Sequence, residues 1–261
     1  MPVKILLNSG KMRRRRALRR LFFFIFGVIA LLSGAVYVFY LPKFRIEDID
    51  VPKLKTLSQD GIKEVSKEIL SAKLIGILPA DNILLAPTEK IEAGLKSKFL
   101  RIKEVKISRH WPNILKMDIF ERSTWAVYCW KDDCYLSDDE GFLFAPAPEF
   151  EGNLLLKLYD ERLPAEQFSV GDSILNRENF ILISEFKNEL EKVGKHVLKI
   201  ILKDDQEEFY LGNWKIILDF ETNKETAIKN LFLALTEIGG LENKLDYIDL
   251  RFDDKIFYKF K

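Results

Sequence analysis

Cys129 and Cys134 are the only cysteines in the chain, and they bracket four residues, Trp130-Lys131-Asp132-Asp133. Two thiols at that spacing across a turn suit a structural disulfide if the strands on either side face each other in register. Two buried free thiols are the alternative. The spacing is not the Cys-x-x-Cys of a redox centre. His110 and His196, the two histidines, have neither the i, i+4 partner nor the cysteine cluster that a zinc site requires. Asp132, Asp133, Asp138, Asp139 and Glu140 are dense enough to suggest calcium. They lack the EF-hand spacing, however, and acidic residues are ordinary in hairpin turns. Neither Gly-x-Ser-x-Gly, Ser-x-x-Lys nor a phosphate-cradling glycine loop occurs in a supporting context. No catalytic, metal or cofactor residue is assigned, and the chain reads as a binding protein rather than an enzyme.

Whatever binds must be positioned by the rest of the chain, and the charges divide it sharply. Of the 41 Lys and Arg residues, eight fall in residues 1–20, where there is no acid. The remaining thirty-three stand against all forty acids, so the body after position 41 is net −7. An acidic body argues against a nucleic-acid surface, which needs a clustered basic patch. Leu21–Leu41 contains no charge and, as a helix, covers about 31 Å, the hydrocarbon thickness of a bilayer. Tyr37 and Tyr40 stand at its far end, where amphipathic rings favour the headgroups, and the flanking basic cluster predicts a cytoplasmic N-terminus with the body outside. A signal peptide cleaved near Ser33-Gly34-Ala35 is the rival reading. The apolar run continues past Ala35 through Tyr37, Phe39 and Tyr40, which favours an uncleaved anchor.

Beyond Pro42, Phe44–Val51 reads as a strand between prolines. Ser58 is placed to cap a helix carrying Ile62, Val65 and Ile69 on one face, and Thr88 a second with Ile91, Leu95 and Phe99. Gly76 to Asn82 reads as a loop. Ile102–Arg109 and Ile114–Phe120 alternate at the strand period across the turn His110-Trp111-Pro112-Asn113. The order strand, helix, helix, strand, strand makes a small α+β unit. After Arg122 the sequence predicts short strands at Thr124–Trp130, Cys134–Ser137, Phe142–Phe144 and Leu154–Leu158. A helix capped by Asn176 follows, with Phe180, Ile183, Phe186, Leu190 and Val193 inward. Strands at Val197–Leu202, Glu208–Leu211 and Trp214–Phe220 precede a helix from Thr226 to Glu237 closed by Gly239-Gly240. Tyr247–Phe252 and Ile256–Phe260 end the chain. The fold class is α+β: a basic tail (1–20), one transmembrane helix (21–41), a first domain (42–122) and a β-rich domain with flanking helices (123–261).

Three stretches carry a resemblance to the bacterial division proteins FtsQ and DivIB. Ser108-Arg109-His110-Trp111-Pro112-Asn113-Ile114-Leu115, continuing to Phe120-Glu121-Arg122, is similar to the family's R-x-W-P-n-x-L…E-R segment. Trp125-Ala126-Val127 through Leu136-Ser137-Asp138-Asp139-Glu140-Gly141-Phe142-Leu143-Phe144 resembles A-x-W…L-v-D-x-x-G-x-v-F, with Ser137 where the family has an apolar residue. Tyr247-Ile248-Asp249-Leu250-Arg251-Phe252 is close to the C-terminal v-D-L-R-y. The resemblance implies a POTRA-type first domain, no enzymatic activity and no cofactor. It also implies a hub of the division machinery at the plasma membrane, binding FtsB- and FtsL-like coiled-coil partners and septal peptidoglycan synthases. An anchored POTRA protein of envelope export or assembly is the alternative, and a secreted enzyme a third.

Beside the resemblance, the last motif has a physical reading. Tyr247, Asp249 and Arg251 alternate away from Ile248, Leu250 and Phe252. A late strand at a sheet edge offers unpaired backbone groups to a partner strand. Tyr247, Asp249, Arg251 and Phe252 are therefore the expected partner-binding residues, unless the strand is interior and Asp249 merely pairs with Arg251. Ile256–Phe260 either continues that strand or folds back to occupy its edge. Trp111-Pro112 is expected to be a turn whose Trp packs on the core. Arg109 lies in the same motif, and Glu121 and Arg122 either brace the domain junction or are solvated.

Overall fold

The computed structural model describes residues 6–74, 76, 78–148, 155–162, 168–252 and 255–261. Leu154 and the Asp253-Asp254 turn of the sequence reading lie outside them. The first helix, α1 (Leu6–Phe39), contains Leu18–Phe39, 22 residues long and apolar enough to cross a membrane. The chain divides into two compact units, residues 1–120 and 121–261.

In the first unit a short strand, β1 (Asp48–Asp50), lies parallel to β5 (Ile114–Glu121), which also neighbours β4 (Ile102–His110). The helices α2 (Gln59–Leu70) and α3 (Thr88–Lys98) cover this sheet. Their apolar stripes, Ile62 and Val65 from α2 and Ile91 and Leu95 from α3, meet Ile49, Ile102, Leu115 and Met117 in one core, as spacings of three and four require. Ser66 is buried among them, its hydroxyl donating to the Ile62 carbonyl at 2.8 Å. Three local readings are corrected. The stretch Phe44–Val51 is strand only over Asp48–Asp50, because Pro42–Phe44 winds into a 3-10 turn at the end of α1. Thr88 is the first residue of α3, with Pro87 before it, and Ser58 caps α2 without a side-chain hydrogen bond. Within Gly76–Asn82, Leu78–Pro79 forms a strand, β3, paired antiparallel with β2 (Lys73–Leu74).

The second unit is a single nine-stranded sheet. Its strands are β6 (Ala126–Trp130), β7 (Asp133–Ser137), β8 (Leu143–Pro146), β9 (Leu156–Asp160), β10 (Lys199–Leu202), β11 (Glu207–Tyr210), β12 (Lys215–Leu218), β13 (Leu245–Asp249) and β14 (Phe257–Phe260). They lie in the order β14-β13-β12-β11-β10-β9-β6-β7-β8. Two of the sheet's three parallel pairs, β9–β10 and β12–β13, are each bridged by a helix, α4 (Arg177–Lys192) and α5 (Lys224–Ile238), while β7 and β8 lie along the chain between the strands of the third, β6–β9. A parallel pair needs such a long crossover. Both helices pack on one face of the sheet. Phe180, Ile183, Phe186 and Leu190 of α4 and Leu231 and Ala234 of α5 are buried against Tyr128, Leu158, Ile200, Phe209, Ile216 and Ile248. Asn176 and Asn223 cap the two helices by accepting the N–H groups of Asn179 and Thr226. Gly239, at φ 63°, ends α5. Val193, expected inward, is exposed: α4 stops at Lys192 and Gly194 turns left-handed at φ 74°.

Candidate functional site

Ile256–Phe260 does not continue β13. It folds back as β14, antiparallel to β13, with Tyr247 opposite Lys259, Ile248 opposite Tyr258 and Asp249 opposite Phe257. The strand carrying Tyr247 and Asp249 is therefore flanked on both sides, and the outermost strand at this end of the sheet is β14, with β8 at the other. Phe257, Tyr258, Lys259 and Phe260 are all exposed. Their rings pack along the edge: Tyr258 meets Phe260 edge-on at 5.7 Å, and Phe257 meets Phe252 at 5.4 Å. Phe252 is 46 % exposed, and Ile248 and Leu250 lie in the core.

On the opposite side of β13, Asp249 is buried, and the Arg251 guanidinium closes on it from two residues away. Arg251 Nη2 donates to Asp249 Oδ2 at 2.7 Å and Nε to Oδ1 at 3.0 Å, while Nη1 reaches Gln206 at 3.1 Å. The hydrogen bond to Asp249 is the main cause pushing the Arg251 pKa up. Tyr247, half-buried, lies two residues before Asp249 on the same face of β13, opposite Lys259 of β14. This face has its own cross-strand row: Lys157, Lys199, Tyr210, Lys215, Tyr247 and Lys259 follow one another through the registers of β9 to β14. Lys199 and Lys215 both lie over the Tyr210 ring, at 4.3 Å and 5.6 Å.

The other motif residues have structural partners. Cys129 and Cys134 pair across the β6–β7 hairpin and are joined by a disulfide, the turn between them closing at Lys131 with φ 53°. Asp138, fully buried, accepts the N–H groups of Glu140 and Phe142 on one oxygen and Arg122 on the other. Arg122 also lies over the Phe142 ring at 4.1 Å. The acidic turn is thus organised by its own backbone and by arginines, Arg122 on Asp138 and Arg177 on Glu140 at 2.9 Å, and among the described residues no group of three or more His, Cys, Asp or Glu converges on a metal geometry. Glu121 ends β5 half-buried. In the first unit, Arg109 donates to the Ala86 carbonyl at 3.0 Å. Trp111, expected to pack on the core, is 58 % exposed and touches the Phe44 ring edge-on at 6.0 Å; Pro112 follows it through a cis peptide.

Tyr247 and Asp249 thus lie on an interior strand, with Asp249 paired to Arg251, and of the four expected partner-binding residues Phe252 is the exposed one, packed on Phe257 of β14, which pairs with no further strand among the described residues. Arg109, Trp111 and Pro112 lie in the other unit, and Arg122 is tied to the Asp138 turn. Sequence reasoning missed three buried ionic groups of the second unit. Asp160 holds Arg162 at 2.8 Å and Tyr128 at 2.9 Å, and burial followed by Asp160 pushes the Tyr128 hydroxyl far up. Glu207 pairs with Lys224 on the helix face of the sheet, and Glu208 with Lys203 and Lys215 on the other. Only Glu208 was a charge inside a predicted strand; Glu207 lies just before that strand and Asp160 two residues past Leu154–Leu158, so neither gave a signal.

Residues 44–122 match the family model described as "POTRA domain, FtsQ-type". A protein of Streptomyces bingchenggensis named Cell division protein FtsQ is 27% identical over 192 residues, 72% of this chain and 68% of its own length. One of the same name from Geobacter sp. is 28% identical over 230 residues, 82% of this chain and 76% of its own. Another, from Streptomyces coelicolor, is 27% identical over 143 residues, 53% of this chain and 51% of its own.

Proposed function

We propose, from the premise that the chain belongs to the FtsQ/DivIB family of bacterial cell-division proteins, that it is a bitopic scaffold of the division complex whose C-terminal sheet edge takes a partner strand. One observation carries this reading. The nine-stranded sheet ends on β14, which pairs with no further strand among the described residues and exposes all four of its side chains. An uncovered edge of aromatic residues is a hazard unless something is meant to pair with it. Strand addition supplies affinity through the backbone and specificity through alternate side chains.

In this reading β14 is the docking strand, and Phe252 and Tyr247 extend the contact beside it. Asp249 and Arg251 hold the segment between β13 and β14 in place. The partners we propose are the FtsB- and FtsL-like coiled-coil proteins that the family resemblance implies, with septal peptidoglycan synthases recruited through them. The N-terminus is cytoplasmic, residues 42–122 and 123–261 lie outside, and the protein acts at the division site without catalysis.

The test is co-purification from membranes of the wild-type chain, a Tyr258→Asp, Phe260→Asp variant and a Tyr247→Ala, Arg251→Ala variant, with retained partners identified by mass spectrometry. Recovery of FtsB- and FtsL-like proteins by wild type and their loss with the β14 variant is expected. Loss only with the Tyr247, Arg251 pair moves the site to the face of β13. Recovery of translocation components instead, with division unaffected by depletion, replaces the division role with envelope export.

A further inference from the structure

We propose that the Trp111-Pro112 turn of the first unit lies in the headgroup layer of the membrane spanned by α1, so that this unit stands on the lipid surface instead of hanging from a loose stem. The proposal rests on α1 being a spanning helix, and its test separates the two.

The chain leaving α1 has no slack. Tyr40 and Leu41 donate back to the carbonyls of Tyr37 and Val38, and Phe44 and Arg45 to those of Leu41 and Pro42. Asn82, fully buried, then locks the domain to the helix end. Its Nδ2 donates to the Phe39 carbonyl at 2.9 Å and its Oδ1 accepts the Leu84 N–H at 2.9 Å. The next residue, Ile83, donates its N–H to the Phe44 carbonyl at 2.8 Å. A single residue and two hydrogen bonds thus join the carbonyls of Phe39 and Phe44, a path of roughly 12 Å at most. Within this span the uncharged residues Leu21–Phe39, behind Arg19 and Arg20, rise about 28 Å, close to a hydrocarbon core of about 30 Å, which leaves Phe39 at its outer boundary. The headgroup layer adds about 5–8 Å on each side. Trp111 packs on Phe44 at 6.0 Å, within reach of that layer.

Exposure points the same way. Outside α1, the large apolar side chains of this unit exposed among the described residues are Tyr40, Leu84, Trp111, Ile114 and Phe120. All but Phe120 gather where the chain leaves the helix. Leu84 hangs from Asn82, and Ile114 registers with Asp48, while the neighbouring Asn113 carbonyl accepts the Glu47 N–H. Phe120, at the far end of β5, is partly capped by the Lys106 ammonium at 5.2 Å. A tryptophan, two aliphatic side chains and a tyrosine facing water together would be costly, but the lipid–water interface is where amphipathic rings are favoured. Lys43, exposed beside them, suits anionic headgroups, while Arg45 is paired with Asp81 at 3.4 Å. Continuity with the membrane helix selects lipid as the occupant over a protein partner.

The chain has no free cysteine, so an added one labels uniquely. The full-length protein would be reconstituted into phosphatidylethanolamine–phosphatidylglycerol vesicles with an environment-sensitive fluorophore at Ile114→Cys or, as control, Phe120→Cys. A nitroxide on the lipid headgroup is expected to lower Ile114→Cys emission roughly twofold or more while leaving Phe120→Cys unchanged. The same quencher should remove a share of the intrinsic emission on the order of one tryptophan in four in wild type and none of it in Trp111→Phe. Indistinguishable quenching at the two labelled positions, with the protein firmly in the vesicles, overturns the proposal and leaves the anchor intact. Failure of the protein to sediment with the vesicles overturns the anchor itself.

Discussion

Glu208 sits on the face of the sheet away from the helices, buried, with Lys203 and Lys215 at 2.9 Å and the Tyr210 hydroxyl at 2.8 Å. Burial alone would push its carboxyl up, but the hydrogen bonds from Lys215, Lys203 and Tyr210 outweigh it and hold the pKa down at about 2 against an ordinary 4.5. A depressed carboxylate stabilises the fold fully above its ordinary pKa and loses that contribution as pH falls toward the depressed value. Thermal stability should therefore decline between pH 4.5 and pH 2. Glu208→Gln should be less stable at pH 7 by roughly 1–3 kcal/mol and flatter across that window. A wild-type and variant pair with parallel pH profiles would remove Glu208 from the explanation. Its neighbour Glu207 points to the opposite face, where burial pushes its pKa up despite Lys224 at 2.9 Å. Lys224→Ala strands that carboxylate. Urea denaturation of the variant should show a loss of roughly 3–5 kcal/mol, as breaking a buried pair costs more than the pair contributes.

Turns that shape the second unit place similar demands on glycine with different costs. Gly141 closes the Asp138 turn at φ 80°, and a Cβ there would lie 2.6 Å from the Phe180 ring. That ring is fully buried and packs on Trp125 at 5.1 Å. Gly141→Ala should lose about 2–4 kcal/mol, from left-handed strain plus overpacking. Gly194 has φ 74° with nothing near, so Gly194→Ala isolates the strain at about 1 kcal/mol. Equal urea midpoints for the two would mean that Phe180 yields. The sequence displayed most elements of this kind. Long strands such as Ile102–His110 alternate, helices such as Gln59–Leu70 repeat every three or four residues, and Asn176 announces its helix. Two-residue strands such as Lys73–Leu74 carry no period, so that pairing was invisible. Trp111 was misplaced because its size argued for burial, while its position in a turn beside Phe44 decided otherwise. At the candidate site, Asp249 and Arg251 were legible as a motif, but the edge was not. Phe257-Tyr258-Lys259-Phe260 lacks alternation because all four side chains are exposed, and only pairing with Leu245–Asp249 makes it the outer strand.

Across the whole chain, the proposed topology rests on charge, and the disulfide offers a test of it. Eight basic residues precede the apolar helix, and the segment beyond it carries a net −7. Positive residues beside a spanning helix favour the cytoplasmic side, so the proposed topology carries the second unit outside, where Cys129 and Cys134 would oxidise. Replacing Arg13, Arg14, Arg15, Arg16, Arg19 and Arg20 with Glu removes that bias and leaves only Lys4 and Lys11 basic ahead of the helix. A fraction of such chains should insert inverted, with residues 121–261 held in the reducing cytoplasm and both thiols free. Maleimide labelling of lysates prepared without reductant reads this directly: wild type unlabelled, the variant labelled in proportion to its inverted fraction, and Cys129→Ala, Cys134→Ala blank in both. Protease added to intact spheroplasts separates inversion from mere loss of the disulfide, because it degrades residues 121–261 only when they are outside. A variant that is labelled yet fully digested would place the unpaired thiols outside the cell. The disulfide would then depend on something other than compartment, and the basic tail would not be what orients the chain.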